Sequence, residues 1–215
     1  MKGTYINNFT LAEEIWHATT HGLGLLLSII GLVVLVAFAA VHTSFINILS
    51  ASIYGTTLLI MYGSSTIYHA LTHHKLKEVF QTFDHASIYL LIAGTYTPIA
   101  LVSLSGTAFS LPILTIEWIT AIIGVYLKFK YPSRFEILSL VLYVVMGWLI
   151  VIAIEPLRQN LADNGFYLLV AGGLTYTLGI YYYANDSKPY YHAIWHLFVL
   201  GGSIFHFFMV LLYVI

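Results

Sequence analysis

The 215-residue chain contains no cysteine. That excludes a disulfide framework and thiolate chemistry, and it leaves only His, Asp and Glu to hold a metal. Charge is also scarce: 8 Lys and Arg and 9 Asp and Glu make up 8% of the residues, against about a quarter in soluble domains. So few charges cannot dress a surface that faces water. The net charge is −1 and no basic block is present, so no footprint for nucleic acid exists. No low-complexity linker or obvious repeat divides the chain. One domain over residues 1–215 is therefore expected.

Apolar and aromatic side chains fill the space that charge leaves. Hydrophobic residues make up 60% of the chain and aromatics 16%, with 17 tyrosines. A bilayer is the solvent that suits this composition, because apolar helices need no polar coat there. Tyrosine also suits the water–lipid boundary. A membrane-crossing helix needs about 20 apolar residues. Seven such stretches are read at roughly 18–40, 47–69, 84–104, 107–128, 135–154, 164–184 and 191–215. The expected fold class is all-α, a seven-transmembrane helix bundle. The N-terminal segment has no short apolar core followed by a small-residue cleavage site, so the first stretch reads as a retained helix.

Lys and Arg set the orientation. Lys2, Lys75, Lys77, Lys128, Lys130, Arg134 and Lys188 fall on one side of a seven-span chain, and only Arg158 falls on the other. The N-terminus is then cytoplasmic and the C-terminus outside. An even number of spans breaks this partition. Pro98 is expected to kink helix 3, with Thr95 and Thr97 compensating freed carbonyls. Gly172, Gly173, Gly201 and Gly202 permit close helix approach.

Ionisable residues inside a membrane are costly and mark function by default. The second stretch ends in 65-STIYH-69, where Ser65 and His69 share a face. The third starts at the same side with Asp84. The seventh starts there too, in 190-YYHAIWHLFVL-200, with His192 and His196 four apart. Three helices thus bring Ser65, His69, Asp84, His192 and His196 to one depth, near the cytoplasmic face. Three imidazoles with an open fourth position bind Zn²⁺ and keep a water on it. The motif lacks the glutamate of His-Glu-x-x-His metalloproteases, since Ala193 and Ile194 stand between the histidines. A general base must then come from another helix, and Asp84 is the candidate. Ser65 is expected to bind an oxygen of substrate or water.

The other candidates read differently. His17 and His21, near Glu13 and Glu14, read either as support behind the metal ligands or, the favoured reading, as interface or local packing. His85 points about 100° from Asp84 on a helix and is expected outside the site. His73 and His74 read as a solvated loop, and His42 as outer. His206 lies ten residues beyond His196, roughly 15 Å along a helix, too far to share an ion. Glu117 falls in mid-membrane, facing the bundle or protonated.

The segments 13-EEIWHATTHGLG-24, 64-SSTIYHAL-71, 82-TFDHASIYLLIAGTYTP-98, 138-LSLVLYVVMGW-148 and 192-HAIWHLFVLGGSIFH-206 together resemble the bacterial hemolysin III-type membrane proteins, within the progestin and adipoQ receptor superfamily. The resemblance spans nearly the whole chain. It implies seven helices, an inside N-terminus and a zinc ion near the cytoplasmic side of the cell membrane. The family's Ser-x-x-x-His motif falls on Ser65 and His69, its Asp on Asp84, and its C-terminal pair on His192 and His196. In the superfamily's receptors the three histidines bind zinc and the Asp contacts a zinc-bound water. Related members imply ceramide hydrolysis, and the hemolysin name implies cytolysis.

Three functions follow as expectations. The first is a zinc-dependent hydrolase of a lipid amide or ester, with membrane lipid as partner and substrate. The second is a non-catalytic membrane sensor or regulator in which zinc staples helices. The third is a cytolytic pore. A pore needs water-compatible side chains along its length, whereas the polar residues here gather at one end.

Overall fold

A computed structural model of the protein describes residues 9–42, 44–132 and 134–215, except the side chain of His42. Lys2, counted above for orientation, and the His42 side chain, expected on the outer side, lie outside the described part.

The described residues are helical throughout, with short turns and no strand. In chain order the helices are α1 (Leu11–His42), α2 (Phe45–Ala70), α3 (His74–Pro98), α4 (Ser110–Lys130), α5 (Glu136–Gly147), α6 (Ile154–Asn160), α7 (Asp163–Tyr183) and α8 (Tyr191–Tyr213). A π-helical turn, Ile99–Ser103, extends α3, and a 3-10 turn, Leu149–Ala153, joins α5 to α6. Among the described residues, six stretches are long and apolar enough to cross a membrane: α1, α2, α3 with its π turn, α4, α5 through α6, and α8. Helix α7 has the length but is diluted by four glycines, two threonines and five tyrosines.

Helix α3 packs against α2, α4 and α5, while α1 packs against α2 and α8, and α7 against α8. Of the apolar stretch of α3, 72% is buried, against 28% for α1 and 22% for α5 through α6. Sequence explains this central position. The inward residues of α3 include Ala86, Ser87, Ala93, Gly94, Thr95 and Thr97, and small residues let neighbouring backbones approach. Helix α1 instead exposes Leu26, Ile30 and Val33 and buries a stripe of Glu13, His17, His21, Gly24, Ser28, Gly31, Leu35 and Ala39. That stripe keeps helical spacing.

Two boundaries depart from expectation. Helix α3 starts at His74, not near Asp84, because 74–83 is amphipathic: Lys77, Gln81 and Asp84 are all buried at helical spacing. Helix α5 ends at Gly147 inside a stretch expected to be continuous. The phenol of Tyr96 occupies that break, donating to the Gly147 carbonyl at 3.0 Å and accepting from the Ile150 amide at 2.9 Å. Pro98, expected to kink helix 3, is the last residue of regular α-helix, and the chain continues as the π turn. Thr95 and Thr97 donate to the carbonyls of Leu91 and Ala93, not to Gly94, the carbonyl that Pro98 deprives of a partner. Gly172 makes room for the His206 ring, and Gly202 for Tyr176. Gly165 and Gly179 of α7 likewise make room for Tyr213 and for Phe198 and Trp195 of α8, so the two helices interlock through glycines on both.

Candidate metal centre

The site forms at the end of the bundle where α1, α3 and α8 begin and α2 ends. A capping box starts α1: Glu13 accepts from the Thr10 amide at 2.9 Å, while the Glu13 amide donates to Thr10 Oγ1 at 3.3 Å. The other oxygen of Glu13 accepts from the Tyr190 amide at 3.0 Å. Tyr190 immediately precedes α8 and holds a left-handed conformation, φ 62°. One carboxylate therefore pins the first turns of α1 and α8 together.

That pin brings five histidines into contact. His69 from α2 and His192 and His196 from α8 offer ring nitrogens that all lie within 4.8 Å of one another, and all three residues are buried. The backing of each ring decides which nitrogen is available. His69 Nδ1 lies 2.6 Å from Glu14 Oε2. His196 Nδ1 lies 3.3 Å from the His17 carbonyl and 3.2 Å from Thr20 Oγ1. A carboxylate and a carbonyl only accept, so in both rings Nδ1 carries the proton and Nε2 keeps its lone pair. His69 Nε2 is buried with no hydrogen-bond partner among the described residues. An imidazole held from behind by an oxygen, with its other nitrogen free in a dry cluster, suits a metal. His192 Nδ1 lies 3.7 Å from Asp186 Oδ2, beyond hydrogen-bond length. This buried His and Glu cluster can hold a metal ion.

Glu14 ties the cluster to α3. Its Oε1 pairs with Lys77 Nζ at 2.7 Å, and Lys77 also donates to the carbonyls of Tyr68 and Leu71. Lys77, expected in a loop, thus sits inside a helix and neutralises the carboxylate that orients His69.

Ser65 is fully buried, with its hydroxyl 2.7 Å from His21 Nδ1, and it is a polar neighbour of the Asp84 carboxylate. His21 stacks on His196 with ring centres 3.5 Å apart. Asp84, His21, His192 and His196 border a cavity of about 140 Å³. The cavity continues between α3, α5, α7 and α8, past side chains such as Ile88, Trp148 and Val199, to His206. An apolar void of this order takes a benzene-sized group.

His17 and His21 are not interfacial: both are buried in the cluster. A signal for them existed. They lie on the same stripe of α1 as Gly24, Ser28 and Gly31, small residues that mark a packed face. His85 borders the cavity beside Asp84, but its Nδ1 turns to Glu136 Oε2 at 3.8 Å. His74 opens α3 and is exposed beside Glu78. His206 stands at the far end, its Nε2 3.1 Å from the Leu169 carbonyl. Glu117 faces the interior as expected, fully buried, and neither carboxyl oxygen has a partner among the described residues.

Residues 9–207 match the family model described as haemolysin-III related. A hemolysin-3 homolog of Bacillus subtilis (strain 168) is 48% identical over 205 residues, covering 95% of this chain and 96% of that protein. Hemolysin-3 of Bacillus cereus is 44% identical over 203 residues, covering 94% and 92%. The human monocyte to macrophage differentiation factor is 28% identical over 168 residues, covering 75% and 69%.

Proposed function

Because the chain belongs to the haemolysin-III-related family, we propose that it is a zinc-binding integral membrane protein that hydrolyses an amide or ester bond of a membrane lipid. In this reading residues 1–215 form one domain of the bacterial cell membrane with seven spans. Parity supports the seventh. Helices α1 and α8 start level with each other, pinned by Glu13 at Tyr190, which favours an odd number of crossings between them. The apolar stretches between them number four, and α7 supplies the fifth. The Lys and Arg partition then puts the N-terminus and the metal centre on the cytoplasmic side.

His69, His192 and His196 hold the zinc. The ion, when bound, activates water and polarises a carbonyl. Asp84 takes the proton from the attacking water and orients it. Ser65, engaged with His21 and facing Asp84, acts by fixing that carboxylate. The apolar cavity, with room for a benzene-sized group, takes the segment of the acyl chain next to the scissile bond. One observation carries the reading: Asp84 and two of the metal histidines, His192 and His196, border the same apolar cavity, so a carbonyl at the head of a hydrocarbon chain meets both base and metal. A pore is less well supported, since this cavity is lined mainly by apolar side chains and not by a water-compatible path.

The test uses the purified full chain in lipid nanodiscs. Metal analysis is expected to give one zinc per chain. Mass spectrometry of incubated ceramide and phospholipid mixtures is expected to show release of free fatty acid, lost in Asp84→Asn. Stoichiometric zinc without turnover of any acyl lipid sinks the hydrolase and leaves a metal-stapled, non-catalytic membrane protein. Dye leakage from liposomes that survives loss of all three histidines supports the pore.

A further inference from the structure

His17 is the group the proposed chemistry does not use. It comes from α1, a helix that supplies none of the three expected ligands. It is fully buried, and neither of its ring nitrogens has a hydrogen-bond partner among the described residues. A buried imidazole with two unsatisfied nitrogens is destabilising unless something binds it.

Its neighbours indicate what that something is. The ring centre of His17 lies 4.7 Å from that of His69, 4.9 Å from His192 and 5.4 Å from His196. The other three separations are 5.3 Å for His69–His192, 5.1 Å for His69–His196 and 4.7 Å for His192–His196. All six pairs thus fall in one narrow range, so the four rings stand at the corners of a near-regular tetrahedron. Zinc–imidazole bonds of about 2.0–2.1 Å put each ring centre roughly 3.2 Å from the ion, and four such centres in tetrahedral array stand about 5.2 Å apart. The cage of rings already has that size.

Glu14 is the competing fourth group, since Glu14, His17 and His69 also bring donor atoms within 4.8 Å of one another. Its two oxygens, however, are engaged, one by Lys77 and one by His69 Nδ1. That makes Glu14 an orienting residue. The His17 ring packs against Phe9, ring centres 4.6 Å apart and edge to face; its Nδ1 lies 3.6 Å from Glu14 Oε2, beyond hydrogen-bond length, and neither nitrogen makes a hydrogen bond among the described residues.

We propose that His17 is a fourth imidazole ligand, so that one zinc ion is held by four histidines from α1, α2 and α8. The inference rests on the reading that His69, His192 and His196 hold zinc, and it is independent of hydrolysis. It makes the ion a staple between α1 and the α2–α8 pair. A zinc so held is closed at rest, and chemistry there needs His17 to leave or the coordination to expand to five.

Zinc-edge X-ray absorption on the purified, zinc-loaded full chain counts imidazoles directly. Four are expected in the wild type, and three plus a lighter oxygen donor in His17→Ala. In the Co²⁺-substituted protein, azide is expected to leave the wild-type visible spectrum unchanged and to shift that of His17→Ala. The variant is also expected to hold zinc at least roughly 10- to 100-fold more weakly, the loss typical of even a supporting residue. Three imidazoles and an oxygen in the wild type overturn the proposal, and that count decides the matter even if His17→Ala fails to fold. A wild-type chain that binds no zinc, and is unaffected in this by His196→Ala, overturns both this proposal and the metal reading beneath it.

Discussion

Replacing Glu14 by alanine tests how the cluster is built without touching a proposed ligand. The carboxylate makes two short contacts, 2.6 Å to His69 Nδ1 and 2.7 Å to Lys77 Nζ. Alanine frees the His69 ring to rotate or change tautomer, and it leaves the Lys77 ammonium facing the histidines. A charged hydrogen bond contributes about 1.5–3 kcal/mol, and loss of a carboxylate behind a metal-binding histidine typically costs 10- to 100-fold in metal affinity. Glu14→Ala is therefore expected near the ~100-fold end of that range. Glu14→Gln keeps a neutral acceptor and should lie near ~10-fold. Lys77→Met, which leaves the His69 bond in place, should cost less than either. Competition with a fluorescent zinc chelator in detergent micelles measures all three, and circular dichroism confirms that the variants remain helical. A folded Glu14→Ala protein with zinc affinity within threefold of wild type would falsify the claim that Glu14 orients His69.

Asp84→Asn is expected to keep its zinc and to lose about 10²–10⁴-fold in lipid hydrolysis, the usual share of a general base; loss of zinc instead makes Asp84 a ligand. Gly172→Ala drives a methyl into the His206 ring and should destabilise the bundle by about 1–3 kcal/mol, seen as a lower melting temperature in detergent. An unchanged melting point means α7 and α8 are not in that contact. Glu117→Leu removes a fully buried carboxyl without partners and should raise the melting temperature, since an unsatisfied buried polar group costs about 1–3 kcal/mol. A fall points to a partner for Glu117.

Much of the fold was legible because hydropathy is a local property. All seven expected stretches coincide with helices, and the deviations have local causes. The start of α3 was missed because an amphipathic first turn carrying Lys75 and Lys77 reads as loop. The break in α5 was missed because its compensation comes from Tyr96 on another helix. The common depth of His69, His192 and His196 was also legible, since it needs only charge sidedness and helical period.

The role of α1 was not legible in the same way. His17 and His21 beside Glu13 and Glu14 look like a wet helix start; the stripe they share with Gly24, Ser28 and Gly31 marks a packed face but not a ligand cage. The difference lies in the adjacency of α1 to α8, fixed by the Glu13–Tyr190 bond between residues 177 positions apart. Composition alone settles the solvent, the helices and the donor types, because eight per cent charge and no cysteine leave few alternatives. Which histidines meet, which nitrogen each presents and what stands behind it depend on helix neighbours far apart in the chain. Those are properties of packing, which no window along the chain contains.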